Sequence, residues 1–328
     1  MGVSGETRVY IDSGEVCKIE EIEPGDYVMD EHGEPVKVRS VIVREAEVNN
    51  AKLTRTPWGI GYSDDHEFMQ RRRFVGGFAE WDWSPVVMDG TYRQFLKLDQ
   101  LHPKIDTPEF PIDEDKMLSM FGFYFLIGLI YRRQRIPHTR LTAFGIVPLL
   151  SAGARRKSMD KISEVELAAL VAGFPDIVYN PRANIRLLVK SEGLRKFAAE
   201  HLLNFPFWMF NAREDEKIAF LSGTRWLSEV TRLSCEESLV MDLLYQETGV
   251  RPVIHNRSKS VSPASSLSFL IHGVNHDDKA KFRKSNIARI LETVSTGNRQ
   301  MMYDLDVPSG YATNNLISRG VSDAPEKT

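Results

Sequence analysis

Short apolar runs punctuated by turn residues fill the first third of the chain, and longer apolar segments of helical length fill the middle. The opening Gly2-Val3-Ser4-Gly5 is followed by a β-branched and aromatic run through Ile11, which suits a strand. Val16–Ile22 mixes apolar and charged residues, Pro24-Gly25-Asp26 predicts a turn, Tyr27–Met29 resumes a strand and His32-Gly33 marks a hairpin. Val36–Val43 alternates strongly enough for a long strand, and Phe95–Leu101 predicts another. Leu101–Asp115, with Pro103, Pro108 and Pro111, predicts a linker.

Beyond the linker the period changes. Leu118–Tyr131 is apolar almost all round, as a buried helix is. Strand material at Leu141–Leu150 and a helix over Met159–Val171 follow. A strand over Asn184–Val189 and a helix over Ser191–Leu203, with Ser191 as N-cap, come next. Asp215–Leu227 and Cys235–Thr248 predict two more helices, the second ended by Gly249, and Ser266–Ile271 a strand. Arg299–Pro308 and Tyr311–Ser318 return to strand character.

Length changes this picture little: 328 residues exceed one average domain, so two domains or an insertion are expected. No run approaches the roughly 18 apolar residues of a membrane span, and no signal peptide is expected. Two cysteines, Cys17 and Cys235, lack partners at metal spacing; a reducing cytoplasm is the expected setting. Charge is more informative. Residues 1–112 carry 13 Lys and Arg against 21 Asp and Glu, whereas residues 113–300 carry 27 against 20. A basic middle between acidic ends suits a module for nucleic acid, and equally a plain soluble domain.

Two stretches carry candidate chemistry. In Gly61–Met69, His66 lies three residues after Ser63 inside a turn; such a His donates a proton while hydroxyl and backbone hold an amide, or is a surface loop residue. Arg71-Arg72-Arg73 beside the aromatics of Phe74–Trp83 suits stacking on nucleic acid, or a solvated sheet edge.

Taken in order, these blocks resemble the Hint fold of inteins, the self-splicing family. The opening Gly2–Glu15 resembles the block that begins with the nucleophile, and Ile19–Val28 with Pro-Gly-Asp resembles the next strand pair. Ser63-x-x-His66 resembles the Thr-x-x-His block, and Tyr303-Asp304-Leu305-Asp306-Val307 the strand bringing a carboxylate to the site. The resemblance implies that His66 protonates an amide nitrogen in an acyl shift and that Asp304 steers protons. It also places Gly2 where the nucleophile belongs, and Gly320 at a turn glycine with Arg319 in place of its Asn. The closing His-Asn is unmatched: Ser322 stands in the His position, Asp323 in the terminal Asn position and Ala324 after them. From Gly320 to Thr328 there is no Asn, Gln or His to cyclise or assist.

The middle resembles the LAGLIDADG homing endonucleases. Phe125–Arg133 is similar to the first signature helix, and Phe220-Leu221-Ser222-Gly223 to the second, with Gly128 and Gly223 allowing close packing 95 residues apart. The two catalytic acids of that family are replaced by Arg133 and Ser228. An active member uses Mg²⁺; here no metal or other cofactor is expected. Arg132, Arg135, Arg140, Arg155, Arg156 and Lys157 would contact phosphates of double-stranded DNA, or form a solvated face.

The expectation is therefore a mostly-β, horseshoe-like Hint domain (1–112 and 296–323) split by an α+β two-repeat LAGLIDADG-type insertion (113–295), with a polar tail at 324–328. Its partners would be DNA and, ancestrally, host segments flanking the chain; a monomer without membrane contact is expected. Splicing and nuclease activities are both expected to be lost, by natural decay or by engineering. The alternatives are a DNA-binding protein, or residual nuclease activity through Asp113, Glu114, Asp115 or Glu229.

Overall fold

The computed structural model describes residues 1–53, 59–87, 93–111, 120–134, 140–142, 145–147, 177–180, 186–189, 192–225, 234–249, 254–255, 270–271, 287–288 and 290–321. Its spine is one antiparallel ribbon. Ser40–Leu53 pairs with Ile290–Asp306 from Ser40 opposite Asp306 to Leu53 opposite Ile290. Two register shifts interrupt it, and Gly297, with φ 64°, sits in the one between Ser295 and Arg299. The polar run 295–300 hides the start of this strand in the sequence, so the ribbon begins at Ile290, ahead of the expected Arg299.

Gly59–Tyr62 pairs with the other edge of Ser40–Leu53, and Val3–Ser4 closes the gap. Val3 lies opposite both Tyr62 and Tyr303, which makes a small closed barrel. Closure places the chain's start beside residues 60 and 300 positions away, while the ribbon's outer end, Ser40–Val48, is paired on one side only among the described residues. A second sheet runs, in spatial order, Ile287–Ala288, Arg93–Leu96, Glu67–Phe74, Leu316–Ser318, Tyr311–Thr313, Arg8–Tyr10 and Val16–Lys18. Val3, Val9, Phe68, Phe95, Leu305, Leu316 and Ile317 are fully buried in the core. Each such side chain contributes roughly 1.5–3 kcal/mol of apolar burial.

Three strands end earlier than their patterns predict. Val16–Lys18 gives way to a 3-10 turn at Ile19–Glu21, which buries Ile19. The expected Val36–Val43 strand is two: Pro35–Lys37 pairs with Tyr27–Met29, and Ser40 begins the ribbon. Tyr311–Ser318 is a hairpin, because Asn314 and Asn315 take φ of 46° and 64° between Tyr311–Thr313 and Leu316–Ser318. Asparagine is among the few L-residues that adopt this region readily, so Asn-Asn is the turn.

Helix Met120–Gln134 buries Phe123–Ile127, Ile130 and Tyr131 and packs along helix Glu214–Arg225. A Cβ on Gly128 would lie 2.1 Å from the carbonyl oxygen of Phe220, so only glycine admits this approach. Gly223 is buried on the facing helix. Helix Cys235–Thr248 begins at the Ser234 N-cap, whose side chain accepts from the Glu237 amide, and ends at Gly249 with φ 66°.

This helix rests on the β framework through buried polar contacts. Lys97 Nζ pairs with Asp242, Asn315 Nδ2 donates to Leu239 O (3.1 Å), and Gln246 Nε2 donates to Leu98 O (2.6 Å). Residues 101–111 carry no helix or strand, as a linker should, yet they are held: Leu101 N donates to Glu247, and the Phe110 ring lies 4.7 Å from Phe123 and 5.6 Å from Trp208. The expected helix over 159–171 lies outside the described residues. Among the described residues no helix is long and apolar enough to cross a membrane.

Candidate functional site

Three strand ends converge where the barrel closes. After Tyr62, the turn Ser63-Asp64-Asp65-His66 is fastened by His66 N donating to Ser63 O at 2.9 Å, and it delivers His66 into the interior. Ser63 N donates to Gly2 O at 2.9 Å, and Ser63 Oγ lies 3.2 Å from the same oxygen. The hydroxyl also lies 2.8 Å from Asp65 Oδ1; its single hydrogen serves one acceptor at a time. Residue 2 is thereby held by its own carbonyl, leaving the Met1–Gly2 peptide next in line.

Gly2 itself is buried, and a Cβ there would lie 2.9 Å from Met302 Cβ and 3.2 Å from Tyr303 N and O. A side chain does not fit at this position without movement of the long strand. The Met1 ammonium pairs with Asp65 Oδ2 at 2.8 Å, and Arg44 donates to both carboxylate oxygens of Asp65 at 2.6 Å. Burial raises the Asp65 carboxyl, but the Arg44 and Ser63 hydrogen bonds outweigh it and hold Asp65 below its ordinary value.

His66 and Asp304 are fully buried. The His66 ring meets Phe68 edge-on at 4.7 Å, and its Nε2 lies 3.1 Å from Ser318 Oγ, which in turn bonds Thr313 Oγ1. Its Nδ1 faces Asp304 Oδ2 across 4.0 Å, too long for a hydrogen bond, and among the described residues neither atom has a partner. Asp304 Oδ1 accepts from Tyr311 OH (2.9 Å) and Leu305 N (3.0 Å).

Burial drives the two groups in opposite directions. It lowers His66 to about 3, against a smaller raising effect of Asp65, and it raises Asp304 to about 7, against the lowering hydrogen bonds of Tyr311 and Leu305. The imidazole is therefore neutral at neutral pH, and the carboxyl is poised there between its two forms. Of the two, the Asp304 carboxyl is the one that changes form near neutral pH, while His66 stays neutral beside it.

The structure brings together Gly2, Ser63, His66 and Asp304 from the sequence-derived set. Ser228, Ser322 and Asp323 lie outside the described residues, as do Arg135, Arg155, Arg156 and Lys157. Arg132 and Arg133 fall in the last turn of helix Met120–Gln134 and Arg140 in a strand; their side chains are outside the description. Arginine and serine at the two acid positions do not fit the Mg²⁺ that the endonuclease resemblance implies. A guanidinium repels the ion and a lone hydroxyl holds it poorly, so no metal chemistry is assigned to this chain.

Sequence reasoning missed Tyr311, Thr313 and Ser318. The signal for Ser318 was a hydroxyl closing the apolar pair Leu316-Ile317; Tyr311 carried none apart from its place one short turn after Asp304.

No family model and no curated protein matches the chain. Part of it is similar to solved structures of inteins. The crystal structure of gp41-1 intein is 20% identical, over 29% of this chain and 68% of that one, with a TM-score of 0.22. The solution structure of a bacterial intein-like domain from Clostridium thermocellum is 20% identical, over 28% of this chain and 80% of that one, with a TM-score of 0.19.

Proposed function

We propose that the chain is an intein-type splicing framework whose first reaction centre is built but lacks its nucleophile. One observation carries the reading: Ser63 grips the Gly2 carbonyl at the mouth of a buried pair, His66 and Asp304, whose unpartnered atoms face each other. In an acyl shift a hydroxyl or thiol on residue 2 attacks the carbonyl carbon of residue 1. The amide bond breaks, and the leaving nitrogen takes a proton. His66 and Asp304 are suited to handle that proton; glycine supplies nothing to attack with.

The middle of the chain is read as a LAGLIDADG-type insertion with its nuclease lost. The Gly128–Phe220 backbone approach supports a close two-helix core, and Arg133 and Ser228 stand at the acid positions. Expressed between two reporter segments, the chain keeps both attached; release or joining of either reporter overturns the reading. A second reading, a duplex-binding protein without cutting, is favoured by the excess of cations over anions in residues 113–300.

A further inference from the structure

Two hydroxyls on the hairpin Tyr311–Thr313 and Leu316–Ser318 bear on which nitrogen of His66 carries its hydrogen. Ser318 Oγ lies 3.1 Å from His66 Nε2 and bonds Thr313 Oγ1, and Thr313 Oγ1 lies 3.5 Å from Leu316 O. His66, Thr313, Leu316 and Ser318 are all buried, so water does not compete for these contacts.

Each hydroxyl has one hydrogen to give, which leaves the row two directions. In the first, His66 Nε2–H donates to Ser318, Ser318 to Thr313 and Thr313 to Leu316 O, and Nδ1 is a bare lone pair. In the second, Thr313 donates to Ser318 and Ser318 to Nε2, and the ring hydrogen sits on Nδ1. Only the contact to Leu316 O is released in the second direction. It is the longest of the three and the weakest, so the two directions lie close in energy.

Asp304 breaks the balance. Its Oδ1 already accepts from Tyr311 OH and Leu305 N, so a proton taken up by the carboxyl goes to Oδ2, which faces Nδ1 across 4.0 Å. Ionised Oδ2 favours an N–H toward it, and protonated Oδ2 favours the lone pair. The separation exceeds a hydrogen bond, but in a buried site of low dielectric this electrostatic preference persists at 4 Å. Around the pair, Tyr311 is pushed well up by burial and keeps its proton, while Asp65 is held low against Arg44 and the Met1 ammonium. Glu67, next to His66, is paired with Arg319 at 2.6 Å.

We propose that Ser318 and Thr313 are positioning residues forming a two-way relay, in which His66 carries its hydrogen on Nε2 while Asp304 is protonated and on Nδ1 once Asp304 is ionised. The count balances: ionisation releases one proton to solvent, and the ring keeps one hydrogen in either form. Because His66 stays neutral and Asp304 titrates at about 7, the reversal falls near neutral pH. The relay thereby sets whether His66 presents a donor or an acceptor beside the residue that Ser63 grips. Use of that hydrogen on a leaving amide nitrogen rests on the splicing-type reading; the relay is read without any reaction, so the two fail separately.

The test uses the full chain, isotope-labelled at its histidine nitrogens and aspartate carboxyls, followed by magnetic resonance from about pH 5 to about pH 9. His66→Gln and Asp304→Asn assign the two signals. In the native chain the hydrogen-bearing nitrogen changes from Nε2 to Nδ1, with the midpoint of the Asp304 carboxyl carbon. Thr313→Val touches neither group, yet it leaves Ser318 without an acceptor whenever Ser318 takes the His66 hydrogen. A stranded buried donor disfavours that direction, so the Nδ1 form and the ionised carboxyl gain, and the shared midpoint falls by about 1 pH unit. Thr313→Ser keeps the hydroxyl and restores the native midpoint, which a role in packing alone does not predict. One tautomer throughout, a doubly protonated ring in this range, midpoints that differ, or an unmoved midpoint in folded Thr313→Val each overturns the proposal.

Discussion

His66 Nδ1, in the turn before strand Glu67–Phe74, and Asp304 Oδ2, on strand Ile290–Asp306, face each other at 4.0 Å inside a buried site, more than 200 positions apart in sequence and each without a partner among the described residues. Burial keeps both uncharged over a wide range, and this has a measurable consequence in the pH dependence of stability.

The two groups pull that dependence in opposite directions. His66, lowered from 6.5 to about 3, binds its proton in the unfolded chain first, so its contribution is lost as pH falls from 6.5 toward 3. Asp304, raised from 3.8 to about 7, keeps its proton in the folded chain longer, so its contribution is lost as pH rises from 3.8 toward 7. Each slope is about 1.4 kcal/mol per pH unit, and together they nearly cancel. Asp304→Asn therefore yields a protein whose stability climbs from pH 4 to 6, and His66→Gln one whose stability declines there. Urea unfolding at a series of pH values reads both; parallel profiles in the two variants contradict the assignment.

Tyr311→Phe removes the hydroxyl that donates to Asp304 Oδ1. The loss costs about 1–3 kcal/mol and moves the Asp304 carboxyl further up, because that hydrogen bond favours the ionised form. Carboxyl carbon chemical shifts followed against pH report the titration directly.

The seat of helix Cys235–Thr248 predicts a large effect from a distant residue. Asp242→Ala strips the charge partner from Lys97, which is 8% exposed, and one acceptor from Asn315. About 3–5 kcal/mol is expected from the stranded cation, and Lys97→Met in the same chain recovers part of it. Denaturant midpoints of the single and double variants form the cycle; additive effects contradict the contact.

Gly2→Cys alone is predicted to remain inert. Its Cβ falls 2.9 Å from Met302 Cβ, an atom that moves only with the strand, so the substitution costs about 1–3 kcal/mol and places no thiol in line.

Local chemistry made parts of this molecule legible from sequence. Helix Cys235–Thr248 has the bounds its pattern predicts, because Gly249 stops it where only a left-handed residue fits. Gly2, Ser63 and His66 were singled out because they flank short strand and turn patterns, and Asp304 because its apolar and acidic run Tyr303–Val307 reads as strand, although the strand's start is hidden in the sequence. The Asn314-Asn315 turn is hidden in the sequence because Tyr311–Ser318 reads as one strand, and only the positive φ of both asparagines reveals the hairpin. The long ribbon was truncated because Asn49 is buried on it, and polar residues there mimic a loop. The closure over Gly2 is a long-range packing fact; a lone glycine cannot announce that the space its side chain would occupy is filled by Met302.

In the proposed splicing-type centre, residue 2 lacks a nucleophile and the room for one, its Cβ position lying 2.9 Å from Met302 Cβ. The direct test fuses a reporter upstream of Met1 and measures its release by added thiol. The native chain and Gly2→Cys release none. Gly2→Cys with Met302→Gly, which clears the blocking Cβ, releases the reporter, and adding His66→Ala stops it. A folded double variant that releases nothing, or release from the native chain, contradicts the account.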